Sequence, residues 1–382
     1  SSDFYTLPLH DALPIYEGEG LKGIPRGTVK SLRLHAYEYA YVKTRSDHNW
    51  HGIQSGWDIK RMLGTVPGEE DGSVSFKAPA NTPISIQPLD KDGVAIQWMR
   101  SWVTGQPGEV VSCIGCHEDQ NQIAIPKRVI ASQKAPSALT LPEGGTRSFT
   151  FDLEVQPILD RACIACHNGE GKAFDLRGGK KDKLGYGTSY LNLHPYVHRQ
   201  GGEGDMVVLQ PYEYHPNTSE LVRLLKKGHH NVKLTDKEWK TLYNWIDYNA
   251  PDKGYFNANV LTDLPYKGFD QIKRRKELTD KYANGAGVDW KKEIADYADY
   301  LKKQGPITPV MPEKAAPVKE KTLKVKGWPF GADRIKEMLA KEKETRKVVE
   351  IAPGVKVNFV RIPAGEFVMG SYRGEPDAYP TA

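Results

Sequence analysis

Long hydrophobic runs are missing from this chain of 382 residues: nothing approaches the roughly eighteen consecutive apolar residues that a membrane-crossing helix needs, so no spanning segment is expected. Concentrated charge is missing too. The formal balance is +5, spread along the chain with Lys richest after residue 300. That excludes a nucleic-acid-binding stripe and leaves at most a mild preference for acidic partners. Apolar content is low at 39%, while 36 Gly and 26 Pro imply many turns and connections. Cysteine is scarce, with four in all, and the places they occupy leave none for a disulfide framework or a separate thiol nucleophile.

Those four lie in one five-residue device used twice, Cys113-Ile114-Gly115-Cys116-His117 and Cys163-Ile164-Ala165-Cys166-His167. C-x-x-C-H is the attachment pattern of a c-type haem: two thiols add to the porphyrin vinyl groups and the adjacent imidazole supplies an axial nitrogen to iron. A thioredoxin-type redox pair needs no following His and sits in a βαβ setting that the sequence does not provide. A zinc site would have to join Cys113, Cys116, Cys163 and Cys166, or two Cys and two His around one motif. The His repeated at the same offset favours two covalently bound c-type haems, with Cys113, Cys116, Cys163 and Cys166 attached and His117 and His167 as proximal iron ligands.

The chain does not open on Met, and Ser1 to Ile15 has neither a basic start nor a continuous apolar core, so it is not a signal peptide. This stretch resembles translated adapter read-through at the ends of metagenomic reading frames. Residues 1–15, His10 included, are set aside as an adapter-derived artefact, with any export signal expected upstream.

Residues 16–125 read as a β-rich domain. Ile84 and Ile86, then Val94, Ile96 and Trp98, alternate around an Asp92-Gly93 turn, which predicts a hairpin over 83–99. Asp71-Gly72 precedes a short strand through Val74 and Phe76. Leu32 and Leu34, then Tyr37, Tyr39 and Tyr41, alternate with a phase change at Ala36 that reads as a bulge. Short strands at this spacing predict a small β-sandwich.

After a linker over 126–149, residues 150–255 read as a helical cytochrome c-like domain. Leu153, Val155, Ile158, Leu159 and Ala162 form a helical stripe running into Cys163, with Pro157 expected in the first turn. Asn217 or Ser219 can cap a helix through Leu221, Leu224 and Leu225 that Gly228 ends. Thr235 and Glu238 form a capping box before a helix with Trp239, Leu242, Tyr243 and Ile246 on its apolar face. Trp239 and Trp245 are read as core packing.

For the distal face of the second haem, His229 and His230 follow Gly228, and neighbouring loop residues point opposite ways, so one of the two is expected to bind. Met206, His194, His198 and His215 are rivals, with Met206 and His215 the weaker metal candidates carried forward. For the first haem, His35, His48 and His51 are the histidines of the preceding β-domain.

The stretch Tyr16-Glu17-Gly18-Glu19-Gly20-Leu21-Lys22-Gly23-Ile24-Pro25-Arg26-Gly27 resembles the middle domain of the hydrazine synthase alpha subunit family of planctomycete-type bacteria. So do Leu63-Gly64-Thr65-Val66-Pro67, Pro79-Ala80-Asn81-Thr82-Pro83 and the approach to Cys113. The strings GHHNVKL (228–234) and WIDYNAP (245–251) are similar to the cytochrome domain that follows in those proteins. Over about 16–255 the resemblance implies two covalent haems in adjoining domains, exported to a periplasmic or other extracytoplasmic compartment. The family's active haem is associated with a Tyr shortly after the motif His. Here Glu118-Asp119-Gln120-Asn121 follow and the next Tyr is Tyr186, so that ligation and hydrazine synthesis are not carried over.

Residues 256–305 read as a helical extension, in which Asp289 caps a helix with Trp290, Ile294, Tyr297, Ala298 and Leu301 on one face. A Pro- and Lys-rich stretch over 306–326 reads as a stiff, solvated linker. Residues 327–382 offer a short helix (Ile335, Met338, Leu339) and a strand (Val355, Val357, Phe359). They lead into Arg361-Ile362-Pro363-Ala364-Gly365-Glu366-Phe367-Val368-Met369-Gly370-Ser371, which resembles the opening of the formylglycine-generating, sulfatase-modifying family. With no Cys after Cys166, sulfatase-modifying activity is not expected of these residues.

The fold class expected is therefore multidomain α+β. A β-sandwich-like domain carries one C-x-x-C-H and a helical cytochrome c-like domain the other, followed by a linker and a truncated α+β module. The function expected is extracytoplasmic electron transfer with redox proteins or small-molecule donors and acceptors as partners. The alternatives are a haem oxidoreductase with one open iron and an accessory region of a sulfatase-modifying-like protein.

Overall fold

The computed structural model describes residues 4–8, 15–38 except 17, 52–53, 59–117 except 114, 128–201 except 172 and 184, 208–254, 289–313, 331–341, 346–360 and a few positions between 273 and 281. Within these it is a mixed helix-and-sheet protein whose sheets are antiparallel. Two compact units divide it, Ser1–Lys314 and Ala315–Ala382. No helix among the described residues is long and apolar enough to cross a membrane.

The first unit is built on a four-stranded sheet in the order β5-β2-β3-β6, with β2 Ser31–Glu38, β3 Ile59–Pro67, β5 Ile84–Leu89 and β6 Arg147–Ser148. Strand alternation gives β2 two distinct faces. Leu32, Leu34 and Ala36 enter an apolar cluster with Val66, Phe76 and Ile96, while Arg33, His35 and Tyr37 point the other way. The phase change expected at Ala36 is not there. The register slip falls between Leu34 and His35, which pair with Gly64 and Met62, so the extra residue is Leu63 of β3. Gly64 adopts φ 146°, and a Cβ there would stand 2.4 Å from Thr140 O, because residue 140 bonds along β3 through Thr65. Part of the stretch expected to be a linker thus lies alongside the sheet.

A second, two-stranded sheet pairs β1 (Phe4–Pro8) with β4 (Ser75–Pro79). The residues set aside as foreign are thus engaged by the fold along their backbone. The physical reason is plain: the edge of β4 offers unpaired backbone groups that any extended segment can satisfy. The turn expected at Asp92-Gly93 is present, with Asp90 Oδ1 accepting from Asp92 N and Val94 N. Its returning arm makes only bridge-like pairs, Leu89 with Ala95 and Ile84 with Val103. A four-stranded sheet with a separate two-stranded ribbon stands where a sandwich was expected.

The helical half follows directly: α1 Phe151–Glu154, α2 Gln156–Ala162, α3 Thr188–Leu193, α4 Glu220–Lys226 and α5 Asp236–Asp247. Pro157 sits in the first turn of α2, where its missing N–H costs nothing. Ser219 occupies the N-cap position of α4, although its hydroxyl accepts from His198 N. Gly228 ends α4 at φ 86°. The Thr235–Glu238 capping box forms in both directions at α5. Trp245 is fully buried and donates to Pro251 O at 2.9 Å, and Trp239 packs at the edge of the same core.

The two halves share a core, since Met62 and Val94 join Phe151, Val155, Leu159, Tyr190, Leu242 and Ile246. The polar face of β2 seals the joint. Arg33 donates to Asp247 Oδ2 at 2.8 Å and to Gln87 Oε1 at 2.9 Å, and Gln87 Nε2 donates to Asp247 O at 2.7 Å. Helix α6 (Trp290–Lys303) closes the unit: Tyr297 OH donates to Glu154 Oε2 at 2.9 Å, and Glu293 pairs with Arg61. In the second unit, α7 Ala332–Ala340 precedes an antiparallel hairpin of β7 Arg346–Ala352 and β8 Val355–Val360 turning at Gly354. The 361–371 string lies outside the described residues.

Candidate functional site

The second motif is the C-terminal cap of α2. Cys163 N and Ile164 N both donate to Leu159 O, and Cys163 O then accepts from Cys166 N at 3.1 Å and His167 N at 2.9 Å. This single tight turn sets both sulfurs and the imidazole on one short piece of backbone. His167 is locked further by Leu176 N on its carbonyl at 2.9 Å and by a 3.1 Å contact from its Nδ1 to Phe174 O. A carbonyl can only accept, so Nδ1 carries the proton and Nε2 is left with a lone pair.

Across from it stands His229. The two ring centres are 6.0 Å apart, with planes 37° from parallel. Two imidazoles on opposite sides of one metal ion, each with a metal–nitrogen bond of about 2.0 Å and about 1.1 Å from nitrogen to ring centre, would be about 6 Å apart. The separation therefore fits an ion between them. His229 is half-buried, and its pKa is lowered by burial first, then by the charges of His230 and His167. It is thereby kept as the neutral imidazole that metals bind. His230 is exposed with φ 43°, its ring 4.6 Å from that of His229 and steeply inclined to it.

Arg161 holds the two sides together. Its guanidinium pairs with Glu238 at the start of α5, with Nη2 to Oε2 at 2.6 Å, and donates to Lys233 O at 3.0 Å. One side chain thus joins the end of α2 to the loop that carries His229. Ile164, Phe174, Leu191, Tyr196, Leu225, Leu234 and Trp239 lie partly exposed against the same core, apolar surface that suits a flat, apolar ligand. Burial pushes the Cys163 thiol up to about 12, the reverse of what a thiolate nucleophile or redox pair requires. Among the described residues no three His, Cys, Asp or Glu side chains converge on a point, so the four-ligand zinc arrangement is not assembled. Two thiols, a tautomer-fixed imidazole, a second imidazole 6.0 Å away and partly exposed apolar side chains fit a covalently attached haem.

The first motif has a different support. Cys113 and Cys116 pack against the sheet's apolar cluster with Ile24, Ile86, Val103 and Leu139. Burial, with Cys113 adding to it, raises the Cys116 thiol to about 12. The segment Gly18–Leu21 runs under the motif, with Glu19 N donating to His117 O and Gly20 N to Cys116 O at 3.0 Å. A Cβ on Gly20 would stand 2.9 Å from Cys116 Sγ, and one on Gly18 would stand 2.6 Å from Cys116 O. Gly20 O accepts from Gln97 Nε2 at 2.8 Å, and the same amide donates to Leu209 O at 2.6 Å. His117 is exposed with φ 60°. Among the described residues no imidazole ring lies near it as His229 lies near His167.

The other candidates separate by location. His35 lies on the face of β2 opposite Cys113 and Cys116, edge-on to Tyr37 and Tyr248, so strand geometry turns it away from the first motif. His215 is buried, accepts from Asn217 N through Nδ1, and lies 3.7 Å from Asp90 Oδ2 through Nε2. His194 accepts from Arg199 Nε, and His198 contacts Thr218 Oγ1 at 2.8 Å. Met206, His48 and His51 lie outside the described residues. Sequence reasoning missed the glycine cradle at 18–20, Arg161 and Gln97. The closely spaced glycines of Gly18–Gly20 were the one visible signal.

Residues 27–118 match the family model of the hydrazine synthase alpha subunit middle domain, a range that includes the first motif. A hydrazine synthase from Kuenenia stuttgartiensis is similar in structure, with a TM-score of 0.49 and 18% identity over 67% of this chain and 44% of that one. The chain thus spans less than half the length of that protein. No curated protein matches it.

Proposed function

We propose that this chain is a dihaem c-type cytochrome that passes single electrons between a donor and an acceptor outside the cytoplasm. The observation that carries the reading is the 6.0 Å separation of the His167 and His229 rings, beside two thiols presented by one turn. Cys163 and Cys166 would make the thioether bonds of the second haem, and His167 and His229 would hold its iron. Cys113 and Cys116 would attach the first, and His117 would bind its iron. Bound there, haem supplies reversible one-electron chemistry at a potential set by axial ligation and burial.

The chain's own residues do the rest. Phe174 O fixes the His167 tautomer, and burial keeps His229 neutral. Donor and acceptor are redox proteins or small molecules. The match of residues 27–118 to the hydrazine synthase alpha middle-domain model supports a haem-related redox setting for the first motif, while the extracytoplasmic location rests on the sequence resemblance alone.

A second reading rests on His117. It is exposed, and an iron open on that side would let a small molecule be transformed while the second haem feeds it electrons. Optical and paramagnetic spectra of the haem-loaded protein, with and without carbon monoxide, separate the two. Two low-spin irons that ignore carbon monoxide support the relay. One high-spin iron that binds it supports the enzyme, and a chain whose mass shows no added haem overturns both.

A further inference from the structure

The segment after α6 does not leave the cytochrome half. Val310 N donates to Arg161 O at 2.7 Å, one of the carbonyls at the end of α2 left without a helical partner. The next residue brings its thioether to the second motif: Met311 Sδ lies 3.9 Å from Cys166 Sγ. Pro309 and Pro312 flank the pair, and each restricts the residue before it to extended backbone. The strap is therefore stiff, and ordering it costs little entropy. Ile307, Val310 and Met311 are nevertheless among the large apolar side chains left exposed, Met311 at 65%. An ordered, bonded strap that presents apolar side chains beside an exposed cysteine lacks an apolar partner of its own.

We infer that Val310–Met311 is part of the second haem site, a strap that covers the porphyrin edge at the Cys166 thioether. The inference rests on the haem reading above and adds residues from outside the cytochrome segment. Contact follows from connectivity, because the porphyrin vinyl carbon would be bonded to the very sulfur that Met311 touches. Met311 acts here as cover and not as an iron ligand, since His229 already faces His167. A soft, polarizable thioether suits packing on an aromatic edge, and excluding water from that edge favours the less charged, reduced form.

The test uses the full, haem-loaded chain with methyl-labelled methionine. In the reduced protein one Met methyl is expected to be displaced from the exposed-Met position by the porphyrin ring current, and to vanish in Met311→Gln. Val310→Pro keeps the thioether but removes the N–H that ties down the strap, and should return that methyl to the exposed position. Redox titration of Met311→Gln should lower the midpoint of one haem and leave the other in place. A Met311 methyl at the exposed position in the parent, or an unmoved pair of midpoints in Met311→Gln, overturns the inference while the haem reading stands. A mass that lacks the haem on Cys163 and Cys166 overturns both, and is recognised as such before any methyl is read.

Discussion

Arg33 and Asp247 are 214 residues apart in sequence and 2.8 Å apart in space. Asp247 is fully buried at the end of α5, and Arg33 comes from the polar face of β2. Ala95 N also donates to Asp247 Oδ2 at 3.1 Å, and Arg33 reaches Gly93 O at 2.8 Å. The β-rich half and the helical half, each with one C-x-x-C-H motif, are therefore joined by a desolvated ion pair inside a hydrogen-bond network. Such a joint resists hinge motion because opening it would strand charge.

Replacing Arg33 with Met should cost about 3–5 kcal/mol, because it leaves the Asp247 carboxylate buried and unpaired. The double change Arg33→Met with Asp247→Leu should recover a large part of that loss. Urea unfolding of the haem-loaded protein reads both. A single variant within about 1 kcal/mol of the parent would show that the pair holds nothing together.

Gly20→Ala should impair the first haem alone. The new Cβ would meet Cys116 Sγ and Cys116 O at 2.9 Å each, and one of these is a backbone atom that cannot rotate away. The intact mass should fall by one haem, with the remaining haem on Cys163 and Cys166 by peptide mapping. Retention of both haems would mean that the cradle relaxes at no cost to attachment.

His229→Ala should turn the second haem high-spin and open it to carbon monoxide, whereas His230→Ala should leave it low-spin. The difference follows from position, since His229 faces His167 and His230 is exposed with its ring steeply inclined to that of His229. The opposite outcome would exchange the two roles. An unchanged spectrum in both variants would send the search to Met206 and the other rivals.

What the sequence made legible was local. The C-x-x-C-H pairs, Pro157 in the first turn of α2, the Thr235–Glu238 capping box and the stop at Gly228 are all signals within a few residues, and the structure carries the helical ones through. The extra residue of the β2–β3 bulge was misplaced because a slip in pairing belongs to two strands, and Leu63 looks ordinary within its own. Arg33, Asp247 and Met311 gave no signal at all. Their meaning lies in partners far along the chain, and an isolated Arg, Asp or Met is read as solvated or packed. Gly20 was visible as one of a cluster of glycines, but the sulfur it makes room for was not.

Two buried groups should pull the pH dependence of stability in opposite directions. Burial raises the Asp252 pKa from 3.8 to about 7, so the folded state keeps a proton that the unfolded chain releases. Its stabilising contribution is complete below pH 3.8 and is lost as the pH climbs through 7. His35 is buried with both ring nitrogens unpartnered among the described residues. Burial first, then Lys60 and Arg33, hold its pKa well below 6.5, so the unfolded chain takes up a proton that the folded one refuses. Stability from this source is present above 6.5 and is lost as the pH falls below it. The parent protein should therefore show a shallow dependence near neutrality, and the variants should separate the two contributions. Asp252→Asn should gain on the parent as the pH rises from about 5 to about 8, by an amount on the order of 1–4 kcal/mol. His35→Leu should gain on it as the pH falls below about 6. Urea midpoints across that range read both slopes, and parallel curves for parent and variant at either position would remove that group from the account.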